Sequence, residues 1–123
     1  MRKLLLFVVI CFLGMTAKAQ ETINIDDIAK YVGKEVKVCD KVYSARFLDN
    51  SARQLTLINL GGKYPNQKMT VVIDGDSRKN FTWKPEEFLL NKEICVKGKV
   101  KEYKGGYQID VTKPEELEVK AGQ

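Results

Sequence analysis

The sequence predicts an all-β fold with small helical additions: a closed, five-stranded Greek-key barrel with a short helix between the third and fourth strands. Three observations predict it. Apolar and polar residues alternate with period two in several separate stretches, turn-forming residues divide those stretches, and a helical stretch falls between the third and the fourth.

The barrel does not begin at residue 1. Arg2 and Lys3 make a positive start, Leu4 to Leu13 are apolar throughout, and Ala17-Lys18-Ala19 puts small residues where a signal peptidase reads. The expectation is a signal peptide over residues 1–19, cleavage before Gln20, and one domain over residues 20–123 in the periplasm or outside the cell. The apolar run breaks at Gly14, short of the roughly 20 residues a membrane span needs, so no membrane insertion is expected after removal. Cys11 follows Ile10 inside the apolar run, which does not suit a lipid anchor. The Ala-Lys-Ala-Gln ending has a bacterial look.

Losing the signal changes the charge argument. Arg2, Lys3 and Lys18 leave the set of 21 basic residues while all 16 acidic ones stay, an excess of only two positive charges. The whole-chain pI of about 9.1 therefore overstates the case for a polyanionic partner. Cys39 and Cys95 remain, in a compartment where disulfides persist, but two cysteines are too few for a disulfide scaffold. The chain has no histidine, which removes the commonest general base and metal ligand. No enzyme, cofactor or metal is expected. Asp74, Asp76 and Ser77 offer oxygens in one acidic turn, short of the ligand count of a calcium loop.

Asp26 to Tyr31 suits a short helix, with Asp26 or Asp27 as its cap and Gly33 as its stop. The period then changes to two: Val36, Val38 and Val42 alternate with Lys37, Cys39 and Lys41 in the first strand. Gln54–Leu60 is the second strand, Gly61–Gln67 a turn-rich loop and Lys68–Asp74 the third strand. Pro85–Leu90 suits a helical turn, Glu93–Tyr103 the fourth strand, Lys104-Gly105-Gly106 a hairpin turn and Tyr107–Val111 the fifth. Pro114 ends it or sits on an edge, and Leu117–Val119 resumes a short strand. Phe81, Trp83 and Phe88 are expected to cap the barrel end.

Lys34–Val42 (KEVKVCDKV) and Lys92–Val100 (KEICVKGKV) are near-repeats 58 residues apart, each with a turn-tolerant residue, Asp40 or Gly98, where a barrel strand must coil. Five strands with the matching pair at positions one and four describe an OB-fold barrel. Gly33–Val42, Leu57–Gly62, Tyr64–Gln67, Thr70–Ile73 and Val96–Val100 resemble the bacterial OB-fold domains of the nucleic-acid-binding type. The likeness covers about residues 26–119, with Gly-Gly-Lys-Tyr-Pro-Asn-Gln its more specific part. Asp40 stands where such strands usually carry glycine.

The resemblance implies a ligand groove across strands two and three, walled by two loops, Tyr43–Arg53 and Lys101–Tyr107. They carry Arg46, Phe47, Arg53, Lys101, Tyr103, Lys104 and Tyr107: cations for phosphates and rings for stacking. Phe47 and Tyr107 equally suit half-buried barrel positions, and Tyr64 and Pro65 suit fixing the shape of their loop. In this barrel the first and fourth strands are neighbours, and Cys39 and Cys95 share the outward parity. A disulfide then requires a register that brings their Cα atoms within roughly 4.4 to 6.8 Å, and bonded and free states both stay open. The expected function is a binding module for single-stranded nucleic acid or another polyanion. The alternative is a periplasmic module for protein, oligosaccharide or a small ligand with an envelope or stress role.

Overall fold

The computed structural model describes residues 21–120; the expected signal peptide lies outside them. Its strands are β1 (Thr22–Ile23), β2 (Glu35–Phe47), β3 (Thr56–Leu60), β4 (Met69–Ile73), β5 (Glu93–Tyr103), β6 (Gly106–Asp110) and β7 (Leu117–Val119). The five predicted strands are β2 to β6. They close as β2-β3-β4-β6-β5, with β5 returning to β2 and β4 pairing β6 in parallel, which is the OB-fold barrel. The short strands β1 and β7 extend the β2–β5 side.

The core follows the period. Val36, Val38 and Val42 of β2 and Ile94, Val96 and Val100 of β5 are at most 1 % exposed, and Ile58, Leu60, Val71, Ile73 and Ile109 complete the interior. Each fully buried aliphatic side chain contributes about 1.5–3 kcal/mol of transfer free energy. Between β2 and β5, Val38 faces Val96 and Cys39 faces Cys95. The two cysteines are bonded on the outward face, with Sγ–Sγ 2.05 Å and Cα–Cα 4.0 Å, slightly closer than the expected range.

Three expectations need correction. Residues Tyr43 to Phe47 are strand rather than loop, because β2 runs on past an irregularity between Val42 and Ser44 and changes partner from β5 to β3. The irregularity shifts the side-chain alternation, which is why the sequence pattern stops at Val42. The helix near the start is a 3-10 helix, Ile25–Tyr31, and Asn24 caps it through its side-chain oxygen, which accepts from the Asp26 N–H at 2.9 Å. Between β4 and β5 there are two four-residue helices, α1 (Gly75–Arg78) and α2 (Pro85–Phe88), where one was expected. Asp74 caps α1 by accepting from the Ser77 N–H at 2.7 Å, a bond that holds its carboxyl below its ordinary pKa.

At the barrel end Phe81 is buried, Trp83 packs partly buried against the core, and Phe88 stacks on Trp83 at 4.5 Å between centroids. Gly98 is required by close approach: a Cβ there would lie 2.5 Å from Ile109 Cγ2. Asp40, its counterpart in the near-repeat, turns its carboxylate onto the Lys41 N–H at 2.6 Å instead of pointing inward.

Candidate functional site

Because side chains directly opposed across a ladder share a face, the registers define what lies on the open side of the β2-β3-β4-β6-β5 sheet. One row crosses all five barrel strands: Ser44, Asn59, Thr70, Gln108 and Lys101. The next row is Arg46, Leu57, Val72 and Asp110. A polar line therefore runs beside a line with an apolar centre.

Over Thr70, Gln108 and Lys101 of the first row and Leu57, Val72 and Asp110 of the second lies an open groove of about 640 Å³, bordered by Arg53 and Leu55, by Tyr64 and Gln67, and by the hairpin residues Lys101 to Lys104, Gly106 and Tyr107. The volume is in the range of small-molecule and chain-binding sites. The hairpin turns on Lys104 and Gly105, both at positive φ, which projects Tyr103 and Lys104 beyond the sheet. Among the described large hydrophobic side chains, Tyr64 (73 %) and Tyr103 (61 %) are the most exposed, and both border this groove.

The structure brings together Arg53, Lys101, Tyr103, Lys104 and Tyr107 of the predicted residues. Tyr107 is also half-buried against the core. Arg46 opposes Leu57 on the same sheet face but lies outside the groove lining, toward the β2 edge. Phe47 is placed elsewhere: its ring lies beneath the Arg78 guanidinium, 3.7 Å from centroid to Cζ. Tyr64 was expected to shape its loop and is a groove residue; Gln67, Thr70, Gln108 and Asp110 join it. The signal for the last three was their outward parity on β4 and β6, legible once the strand pairing is known.

The electrostatics are nearly balanced. Arg53, Lys101 and Lys104 face Glu102 and Asp110 in the lining. Lys101 Nζ donates to Asp110 Oδ2 at 2.6 Å and Gln108 Nε2 donates to Asp110 Oδ1 at 2.7 Å, so one cation is already paired. Lys104 Nζ sits 5.4 Å from the Tyr103 ring centroid. Arg53 also borders a second, polar concavity of about 270 Å³ with Gln54, Asp74 and Asp76. Among the described residues no group of three or more acidic or cysteine side chains could hold a metal, and no helix is long and apolar enough to cross a membrane.

The fold and its groove define an OB-fold domain. No protein-family model matches the chain, and no curated protein matches its sequence. Solved structures do resemble it. One, yeast Stn1 and Ten1, matches at TM-score 0.60 and 9 % identity over 86 % of this chain and 65 % of that one. The OBody AM1L10 bound to hen egg-white lysozyme matches at TM-score 0.58 and 18 % identity, over 83 % and 95 %. A chain described as an aspartyl-tRNA synthetase from Leishmania major Friedlin matches at TM-score 0.50 and 13 % identity over 88 % of this chain; this protein spans only 22 % of that chain. At these identities the likeness shows the fold.

Proposed function

We propose that this chain is an exported, non-catalytic binding module of bacterial origin whose groove takes single-stranded nucleic acid or another polyanion, held more by tyrosine stacking than by phosphate neutralisation. The observation that carries the reading is the convergence of Tyr64 and Tyr103 on one groove with Arg53 and Lys104 beside them. A base stacked on an aromatic ring is worth about 1–3 kcal/mol, which two rings can double. The name of the synthetase neighbour is consistent with a nucleic-acid ligand. Export rests on the first nineteen residues. A binding role rather than catalysis is supported by the lack of histidine and by the engagement of Asp110 with Lys101 and Gln108.

The test is a calorimetric titration of short single-stranded oligonucleotides at several salt concentrations. Arg53 and Lys104 form no ion pair with a described residue, so about two phosphates are neutralised and the slope of log K against log salt is about −1.4. Absence of binding at low salt sinks the nucleic-acid reading.

A second reading is favoured by the pairing of Lys101 with Asp110, which leaves only Arg53 and Lys104 against Glu102 in the lining. A groove so nearly neutral also suits a protein segment, a neutral oligosaccharide or a small ligand. One neighbour of this fold was solved bound to a protein, lysozyme. Salt-insensitive binding of a neutral glycan or peptide would favour this reading.

A further inference from the structure

The loop Gly61–Gln67 carries Tyr64 to the groove, and its hold on the barrel converges on one buried side chain. Gly61 has φ +78°, and a Cβ on Gly62 would lie 2.6 Å from the Asn66 carbonyl oxygen, so the loop is folded tightly on itself. Two of its hydrogen bonds reach side chains of the barrel body. The Tyr64 N–H donates to Ser44 Oγ at 3.2 Å, and Gln67 Nε2 donates to Thr70 Oγ1 at 3.4 Å. Both acceptors are in turn bound by Asn59. Its Nδ2 donates to Ser44 Oγ at 3.0 Å, and its Oδ1 accepts from Thr70 Oγ1 at 2.9 Å.

Asn59 is only 5 % exposed and does not line the groove. It stands in β3 between Ile58 and Leu60, which are fully buried, and a buried amide is tolerated there because both its ends are hydrogen-bonded. An amide in that place adds nothing to the apolar core that an aliphatic residue would not. Its two ends instead set the positions of Ser44 and Thr70, and through them both ends of the Tyr64 turn.

We propose that Asn59 is a positioning residue for the groove: without touching ligand, it holds the Gly61–Gln67 loop so that Tyr64 forms a third recognition wall facing the hairpin. The proposal rests on the groove being the binding site.

The experiment uses Asn59→Leu, Ser44→Ala and Tyr64→Ala, alone and with Asn59→Leu and Tyr64→Ala combined. Backbone amide exchange is followed by NMR in the ligand-free protein, and oligonucleotide affinity by calorimetry. In Asn59→Leu and in Ser44→Ala the Tyr64 N–H is expected to lose protection by about tenfold while Ile58 and Val71 keep theirs. Asn59→Leu and Tyr64→Ala are each expected to weaken binding by about tenfold, and the double variant to bind no more weakly than Tyr64→Ala alone. Ser44→Ala cuts the Tyr64 link outside the core and carries the test should Asn59→Leu fail to fold. A Tyr64 amide as protected in the variants as in the parent overturns the proposal, as do binding losses that multiply in the double variant. If the parent binds no oligonucleotide while the variants expose the Tyr64 amide, the nucleic-acid reading falls and the positioning role stands.

Discussion

Arg78 and Glu86 are joined by two parallel hydrogen bonds, Nη1 to Oε1 at 2.8 Å and Nη2 to Oε2 at 3.0 Å, which bridge α1 to α2 across the linker that connects β4 to β5. Their side chains are only 16 % and 15 % exposed, and the same guanidinium donates to the buried Thr56 Oγ1 at 2.8 Å and covers the Phe47 ring. One side chain thus ties both short helices to β3 and to the far end of β2. Neither helix, at four residues, is stable by itself.

Arg78→Ala therefore removes three contacts and leaves Glu86 and Thr56 without their partner. The expected loss is about 2–3 kcal/mol, read as a lower urea midpoint with an unchanged slope. Arg78→Lys should recover only part of it, since an ammonium cannot make the bidentate pair or cover the ring in the same way.

The same pair sets a pH dependence. Burial acts to raise the Glu86 pKa, but the hydrogen bonds and charge of Arg78, its own backbone N–H and Lys84 outweigh it and hold the carboxyl below its ordinary value. The carboxylate is then favoured more in the folded than in the unfolded chain. Its contribution is present above the unfolded value of about 4.3 and is lost as pH falls through the folded value. Urea midpoints measured down through that window should fall less steeply for Glu86→Gln than for the parent. Asp74, lowered by its bonds to Ser77, supplies an acid limb that remains in both.

Gly98→Ala places a methyl carbon 2.5 Å from Ile109 Cγ2, inside the barrel where Ile109 is fully buried. Overpacking of this kind costs about 1–3 kcal/mol, and a urea midpoint equal to that of the parent would contradict the close approach.

The bond between Cys39 and Cys95 spans a sequence separation of 56 residues and joins the pair of strands that closes the barrel. Reduction, or Cys39→Ser with Cys95→Ser, should lower stability by about 2–4 kcal/mol through the freedom restored to the unfolded chain. Thiol titration of the denatured, unreduced protein should find neither cysteine free.

In the groove, Lys104→Ala should reduce the salt slope of oligonucleotide binding by about 0.7 and leave Tyr64 stacking in place. Lys101→Ala should change it less, because that lysine already neutralises Asp110.

Much of the barrel was legible as pattern. Val36, Val38 and Val42, then Ile94, Val96 and Val100, alternate inward because each strand has one buried face, and a period of two survives in any sequence that builds one. The hairpin at Lys104-Gly105 was legible because a tight turn demands positive φ. The continuation of β2 to Phe47 was hidden where the strand changes sheets and its alternation slips. The helix α1 was hidden because four residues are too few to carry a 3.6 period and, unlike α2 with Pro85 in its first turn, it has no proline to mark its start.

The groove divides in the same way. Arg53, Lys101, Tyr103, Lys104 and Tyr107 could be read as groove residues from loop position within a resembled fold. Tyr64 could not, since its role depends on where its loop is pinned, and the pins at Ser44 and Thr70 lie 20 residues before it and in the following strand. Phe47 was misplaced for a like reason: its partner Arg78 arrives from α1.

By itself, the sequence determined the five barrel strands, the inward residues of β2 up to Val42 and of β5, and the charge left when residues 1–19 are set aside, because these depend on local period and composition. Only the tertiary structure decided which polar side chains meet: Cys39 with Cys95, Lys101 with Asp110, and Asn59 with both anchors of the Tyr64 loop. The physical reason is register. A shift of one residue between paired strands leaves composition untouched, yet it sends every side chain on that strand to the other face.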